Sequence, residues 1–236
     1  YAESGGQMGD QGQLLAVSGA EIKILDTLKQ GTNLHVHVCQ VAKGTLTTGD
    51  VVKLTVDANR RALLRANHSA THLLHAALRQ LLGAHVTQKG SLVAPDRLRF
   101  DFTHTRPLSR EEVLAVEKLV NHHIIMNHEV QTHLMNAEKA ISYGAMALFG
   151  EKYGDEVRVL SMGMMGGEDT PFSIELCGGT HVNRTGDIGL FKIINESGIS
   201  AGIRRIEAFT GLAALDYVTT VESTLAEVSA LVKSTA

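Results

Sequence analysis

The chain has 236 residues, 44% of them hydrophobic and 20% charged. That is enough to bury a sizeable core in one large domain or two small ones, and 3 Pro against 23 Gly with no biased tract excludes wholesale disorder and fibrous repeats. With 22 Lys and Arg against 25 Asp and Glu the net charge is -3, so there is no global basic field for nucleic acid and any such contact must come from local Arg clusters.

Two cysteines, Cys39 and Cys177, cannot make a disulfide framework and fit a reducing compartment. No apolar run approaches the roughly 18 residues of a membrane span, which points to a soluble, cytoplasmic protein without a membrane partner. The opening Tyr1-Ala-Glu-Ser-Gly-Gly6 has neither an initiator Met nor a charged-then-apolar leader, so the chain is expected to be an internal piece of something longer.

After a Gly-rich opening, short alternating stretches at Leu14 to Val17, Glu21 to Leu25, Leu34 to Val41 and Val51 to Val56 read as strands. Ser18-Gly19, Gly31-Thr32-Asn33 and Thr48-Gly49-Asp50 are the turns between them. Closely spaced strands with Gly turns predict a small barrel or sandwich over residues 1–58. His35, His37 and Cys39 share one face of a strand, which resembles a metal comb but reads better as an exposed or half-buried strand face.

At Asp57 the period changes. Asp57 or Asn59 is placed to cap a helix running to Leu82, with an apolar stripe from Leu63 to Leu81 and Gly83 as its stop. Ser91 to Val93 and Arg97 to Thr103 follow as strands, and Ser109 with Glu112 spells a capping box for a helix to about Met126. Further strands are expected at Val130 to Leu134, Val157 to Ser161, Ser173 to Leu176, Gly189 to Glu196 and Gly202 to Phe209, with a short helix from Ala137 to Tyr143. Helices segregated beside mainly antiparallel strands give an α+β core over residues 59–210. Residues 211–236 carry Leu212, Leu215, Val218, Val221, Leu225, Val228 and Leu231 at spacings of three and four. They form an amphipathic C-terminal helix, either continuing into a downstream region or docked on its own domain.

Within the first helix His68 and His72 lie four apart, so both imidazoles project from one face and can reach a single zinc ion at about 2.1 Å. His75 sits further round. Cys177-Gly-Gly-Thr-His181 follows a strand, and its two glycines let a thiolate and an imidazole converge. Each pair alone is weak, because chance helical histidines and a buried Cys beside a surface His are ordinary. Together they make a complete four-ligand set, His68, His72, Cys177 and His181, whose thiolate and imidazoles favour zinc. Four protein ligands describe a closed structural site, whereas catalysis needs an open position; both remain open here.

His68-Ser-Ala-Thr-His72, Cys177-Gly-Gly-Thr-His181 and the opening Tyr1-Ala-Glu-Ser-Gly-Gly-Gln-Met-Gly-Asp10 resemble the editing domain of the alanyl-tRNA synthetases. Arg204-Arg-Ile-Glu-Ala-Phe-Thr-Gly211 and Leu98-Arg-Phe-Asp-Phe-Thr-His104 are also similar to segments of that family, and the motifs cover nearly the whole chain in the expected order. The resemblance implies a barrel-like subdomain, with some family strands missing at its start, and an α+β editing core shared with the threonyl-tRNA synthetase editing region. It implies hydrolysis of mischarged Ser-tRNA(Ala) and Gly-tRNA(Ala), one zinc per chain, the tRNA(Ala) acceptor end as partner and oligomerisation through regions further downstream. Nothing in the chain resembles the class II aminoacylation core, so ATP-dependent ligation of alanine belongs to the whole protein and ATP to that absent core.

By the same resemblance Thr71 probes the amino-acid side chain, against the alternative of a helical Thr bonding its own backbone. Gln88, in a turn after the helix, positions the ester carbonyl or a water, against the alternative of an ordinary loop residue. Arg99, Arg204 and Arg205, together with Arg60, Arg61, Arg65 and Arg97, are the cations available to the acceptor end, and each is equally able to pair with Asp or Glu. A freestanding editing deacylase and a non-catalytic zinc-stapled RNA-binding module are the alternatives.

Overall fold

The computed structural model describes residues 1–31, 34–142, 144–145, 156–165 and 170–232. Thr32 and Asn33 of the expected turn, Tyr143 at the end of the expected short helix and residues 233–236 of the C-terminal helix lie outside the described residues.

Four strands, β1 (Gly12–Ala16), β2 (Glu21–Gln30), β3 (Leu34–Lys43) and β4 (Val52–Val56), form an antiparallel sheet in the order β3-β2-β1-β4. The barrel-like expectation is corrected: the sheet is open, with β3 and β4 at its edges among the described strands. Among the described residues Leu14, Ile22 and Ile24 make the buried apolar cluster here, while Val38, Val41 and Leu54 are exposed. Alternation predicts strands but not closure, which depends on edge pairing far apart in sequence. His35, His37 and Cys39 are exposed on β3, and His37 Nδ1 lies 3.1 Å from Thr27 Oγ1, so the strand-face reading fits.

Helix α1 (Ala58–Leu82) starts where the sheet ends. Asp57 Oδ1 accepts the Arg60 N–H at 3.0 Å, satisfying one orphan amide, and the Gly83 N–H closes the last turn on Arg79 O. Its central turns are buried on nearly every side, from Leu64 to Leu78. They pack on a second antiparallel sheet of β5 (Gln88–Val93), β6 (Leu98–Thr103), β10 (Phe191–Ser200) and β11 (Ile203–Thr210), in the order β10-β11-β6-β5. Leu98, Phe100 and Phe102, alternating along β6, are fully buried with Leu73, Leu74 and Leu78 in the main core.

Helix α2 (Arg110–Ile125) carries the expected capping box: Ser109 Oγ accepts the Glu112 N–H and Glu112 Oε2 accepts the Ser109 N–H. A third sheet, β7 (Gln131–Asn136), β8 (Glu156–Met162) and β9 (Ser173–Leu176), runs antiparallel in chain order, with α3 (Ala137–Ser142) leading from β7. A 3-10 turn at Thr185–Ile188, absent from the sequence reading, joins β9 to β10. Helix α4 (Gly211–Leu231) buries only Ala214 and leaves Leu212, Leu225 and Leu231 exposed. The fold is α+β as expected.

His123, near the end of α2, is buried with its ring stacked on Phe172 at 3.7 Å. Burial first, then the neighbouring His122 and His128, pushes it down to about 4. The unfolded chain takes this proton below about 6.5, so the native state loses stability through His123 as pH falls from about 6.5 to about 4. Thermal unfolding of His123→Phe should therefore show a smaller drop in Tm across that window than the wild type. Parallel Tm curves would remove His123 from the acid response.

Candidate metal centre

The two weak motifs meet. His68, His72, Cys177 and His181 are buried, and one ligand atom of each lies within 4.8 Å of the others. The ring centroids of His68 and His181 are 4.4 Å apart, and that of His72 is 5.1 Å from each. Helix α1 supplies His68 and His72 one turn apart. Strand β9 runs past that helix so that Leu176 enters the satellite core with Val157 and Val159, while Glu175 and Cys177, on the alternate face, turn toward the imidazoles. The Cys177–His181 loop is held by Arg158, whose Nη1 donates to Gly179 O at 2.5 Å, and by Ser69 Oγ, which accepts the Val182 N–H.

The two helical imidazoles, His68 and His72, each have Nδ1 committed to an outer acceptor and Nε2 turned to the cluster. Glu175, 1% exposed, accepts from His72 Nδ1 at 2.6 Å and from His75 Nδ1 at 2.8 Å. Gln7, with no exposed surface, accepts from His68 Nδ1 at 2.7 Å. His68 Nε2 then lies 3.5 Å from Cys177 Sγ. His72 Nε2 and both nitrogens of His181 are buried without a hydrogen-bond partner, an expensive arrangement in a dry site unless something else binds there. Carboxylate and amide oxygens that fix Nδ1–H and release Nε2 are the usual outer support of metal-binding histidines.

The charges agree with that fit. Burial opposes the Cys177 thiolate, but the imidazoles of His68 and His72 outweigh it and hold the thiol well below its ordinary value. Burial, with His68 beside it, pushes His181 down to about 3, so its imidazole is neutral, as a ligand must be. At His72 burial is overridden by the Glu175 carboxylate and the Cys177 thiolate, which raise it to about 10. Surroundings that recruit a proton so strongly favour a cation in the same place. Thiolate and imidazole donors suit zinc among the common divalent ions.

Beyond the geometry, comparison with known proteins identifies the relatives. Residues 157–207 match the family described as threonyl and alanyl tRNA synthetase second additional domain. The chain is 57% identical over 236 residues to the alanine–tRNA ligase of Rhizorhabdus wittichii, covering 99% of this chain and 27% of that protein. It is 56% identical over 236 residues to that of Stenotrophomonas maltophilia, covering 100% of this chain and 26% of that protein. The chain belongs to the alanine–tRNA ligase family. It spans about a quarter of the length of the curated relatives it matches. Residues 1–60 match the family described as tRNA synthetases class II (A).

The other expected site residues of this family member are scattered more widely. Thr71 is buried beside the cluster, and its hydroxyl donates to Asn67 O at 2.8 Å, the local backbone bond of a helical Thr. Gln88 is half-buried as the first residue of β5, opposite Phe102, and not in a turn: the strand begins three residues earlier than expected, with a bulge between Gln88 and Gly90. Among the described residues Gln88 is hydrogen-bonded to none of the four cluster residues. Most of the candidate cations are engaged internally. Arg204 is bidentate to Glu196, Arg205 is bidentate to Asp101, Arg99 lies 3.6 Å from the same Asp101, and Arg97 pairs with Asp96. Arg60 donates to Gly9 O and Arg61 pairs with Asp10, tying α1 to the opening segment; Arg65 Nε is buried and unpartnered.

Sequence reasoning missed Gln7 and Glu175. Glu175 had a legible signal, since an acidic residue inside an apolar strand two positions before Cys177 must share its face. Gln7 had none in periodicity, because the Gly-rich segment holding it is irregular and docks through Met8 N–H to Val93 O and Val93 N–H to Gly6 O.

Proposed function

We propose that this chain is the editing region of an alanine–tRNA ligase, hydrolysing serine and glycine from mischarged tRNA(Ala) at the His68, His72, Cys177 and His181 centre. The carrying observation is the buried convergence of four ligand atoms, with orphaned nitrogens, in a chain matching the threonyl and alanyl second additional domain. The need is physical: a pocket sized for alanine discriminates against serine or glycine by only about 1–3 kcal/mol, so a second sieve is required.

His68 Nε2, His72 Nε2, Cys177 Sγ and one nitrogen of His181 would hold the zinc, which supplies charge stabilisation for an ester carbonyl where a coordination position is open. Thr71 has already given its proton to Asn67 O, so its oxygen is left as an acceptor, suited to the hydroxyl of a seryl group. Gln88 orients the ester carbonyl or a water. Neither is a base at neutral pH, so hydrolysis relies on positioning, with the terminal ribose hydroxyl of the tRNA available to help. Arg99, Arg204 and Arg205 meet the acceptor end only by exchanging carboxylate partners for phosphate. We assign residues 1–58 to a sheet subdomain, 59–210 to the editing core and 211–236 to a connecting helix. ATP-dependent ligation, cytoplasmic location and oligomerisation through downstream regions are proposed for the whole protein. Among the described residues, no helix is long and apolar enough to cross a membrane.

The purified chain should release serine from Ser-tRNA(Ala) and leave Ala-tRNA(Ala) intact. Chelation, or the double change Cys177→Ala with His181→Ala, should abolish the release. Full activity in a zinc-free protein would overturn the metal assignment. A second reading is favoured by the burial of all four ligands, which describes a closed structural site. Under it, the zinc-loaded chain binds tRNA(Ala) and leaves the Ser ester intact.

A further inference from the structure

Gln7 contacts both halves of the metal centre although it lies 61 residues before the nearest ligand. Its Oε1 accepts the Thr180 backbone N–H at 2.9 Å and lies 2.7 Å from His68 Nδ1, while its Nε2 donates to Thr180 Oγ1 at 2.9 Å. The backbone N–H can only donate, so the amide orientation is fixed: oxygen faces Thr180 N and nitrogen faces the hydroxyl. His68 Nδ1 beside that oxygen must therefore carry the proton, which leaves the Nε2 lone pair directed to Cys177 Sγ, 3.5 Å away.

We infer that Gln7 is a positioning residue of the centre: its one amide sets the His68 tautomer and pins the Cys177–His181 loop, making the opening segment a contributor to metal binding. This rests on the metal reading of the four-residue cluster. The segment is anchored for the task. Gln7 is fully buried, Gly6 and Met8 bond to Val93, and Arg61 holds Asp10 from α1. Asn67, next to His68, donates to Ala94 O, so the strand end that receives the segment is tied to the ligand helix too.

The test compares Gln7→Ala and Gln7→Glu with the wild-type 236-residue chain by zinc competition against a chromophoric chelator. It also reads the His68 tautomer from imidazole 15N shifts of the metal-free protein. Gln7→Ala should bind zinc about 10–100-fold more weakly and show His68 as a tautomer mixture. Gln7→Glu keeps an oxygen toward both His68 Nδ1–H and the Thr180 N–H and should restore both readings to near wild type. Circular dichroism controls for folding; if Gln7→Ala does not fold, Gln7→Glu and the wild-type shifts decide. Equal zinc affinity in Gln7→Ala, or a wild-type His68 protonated on Nε2, overturns the inference while leaving the metal centre standing. A wild-type chain with the expected tautomer but no zinc affinity overturns the metal reading itself.

Discussion

Glu175→Ala is expected to destabilise the fold by about 3–5 kcal/mol and to weaken zinc binding by about 10–100-fold. Glu175 is buried between two imidazoles and serves both, His72 through Oε2 and His75 through Oε1. Truncation leaves two buried Nδ1–H groups without acceptors and a cavity beneath α1. His72 is then free to move its proton to Nε2, the nitrogen required for the metal. Glu175→Gln separates these effects. The amide oxygen can stay on His72 Nδ1–H, while its NH2 faces His75, which lies outside the four-residue cluster and can take the other tautomer. Stability and affinity should therefore fall in the order wild type, Gln, Ala, measured by denaturant unfolding and zinc titration. Equal values for Gln and Ala would show that the carboxylate charge, and not its two acceptors, is what the site uses.

How legible the molecule was depended on the range of the physics involved. Helix α1 and the Ser109 capping box were readable because a 3.6-residue stripe and a reciprocal cap are local, and both occur as expected. Closure of the first sheet was misread because alternation in β3 and β4 says nothing about what lies beyond their edges. Gln88 was misplaced because the bulge beside Gly90 lets β5 begin earlier than its apolar residues suggest. Of the centre, the four candidate side chains were legible by chemistry alone, since His and Cys advertise themselves, and the fold does bring them together. Their supports were not: Gln7 and Glu175 act by accepting N–H groups from other residues, and a sequence gives an acceptor no address until the chain has folded. His75 shows the same limit. Its place further round the helix is legible, but not that its Nδ1 is committed to the carboxylate that also serves His72.

Gly179→Ala should disable the centre, and Gly178→Ala should not. Neither glycine has a positive φ among the backbone torsions, so space decides. A Cβ on Gly178 meets nothing within 4 Å, whereas one on Gly179 would lie 2.1 Å from His68 Cε1, 2.5 Å from His68 Nδ1 and 3.0 Å from Gln7 Oε1. The imidazole cannot swing aside cheaply, because Gln7 holds one edge and α1 holds its stem. The loop cannot recede either without breaking the Arg158 bond to Gly179 O and the Gln7 bonds to Thr180. Overpacking of this kind costs about 1–3 kcal/mol, and the displaced His68 should cost more zinc affinity than the loss of an outer hydrogen bond, about 100-fold or greater. Gly178→Ala should stay within about 0.5 kcal/mol of wild type and bind zinc normally. Thermal unfolding and chelator competition on the two variants read both quantities. If Gly179→Ala matched Gly178→Ala in each, the close approach of this loop to His68 would not be a requirement of the site. If Gly179→Ala lost zinc but kept Ser-tRNA(Ala) hydrolysis, the metal's assigned part in the reaction would be overturned and the chemistry would lie with Thr71 and Gln88.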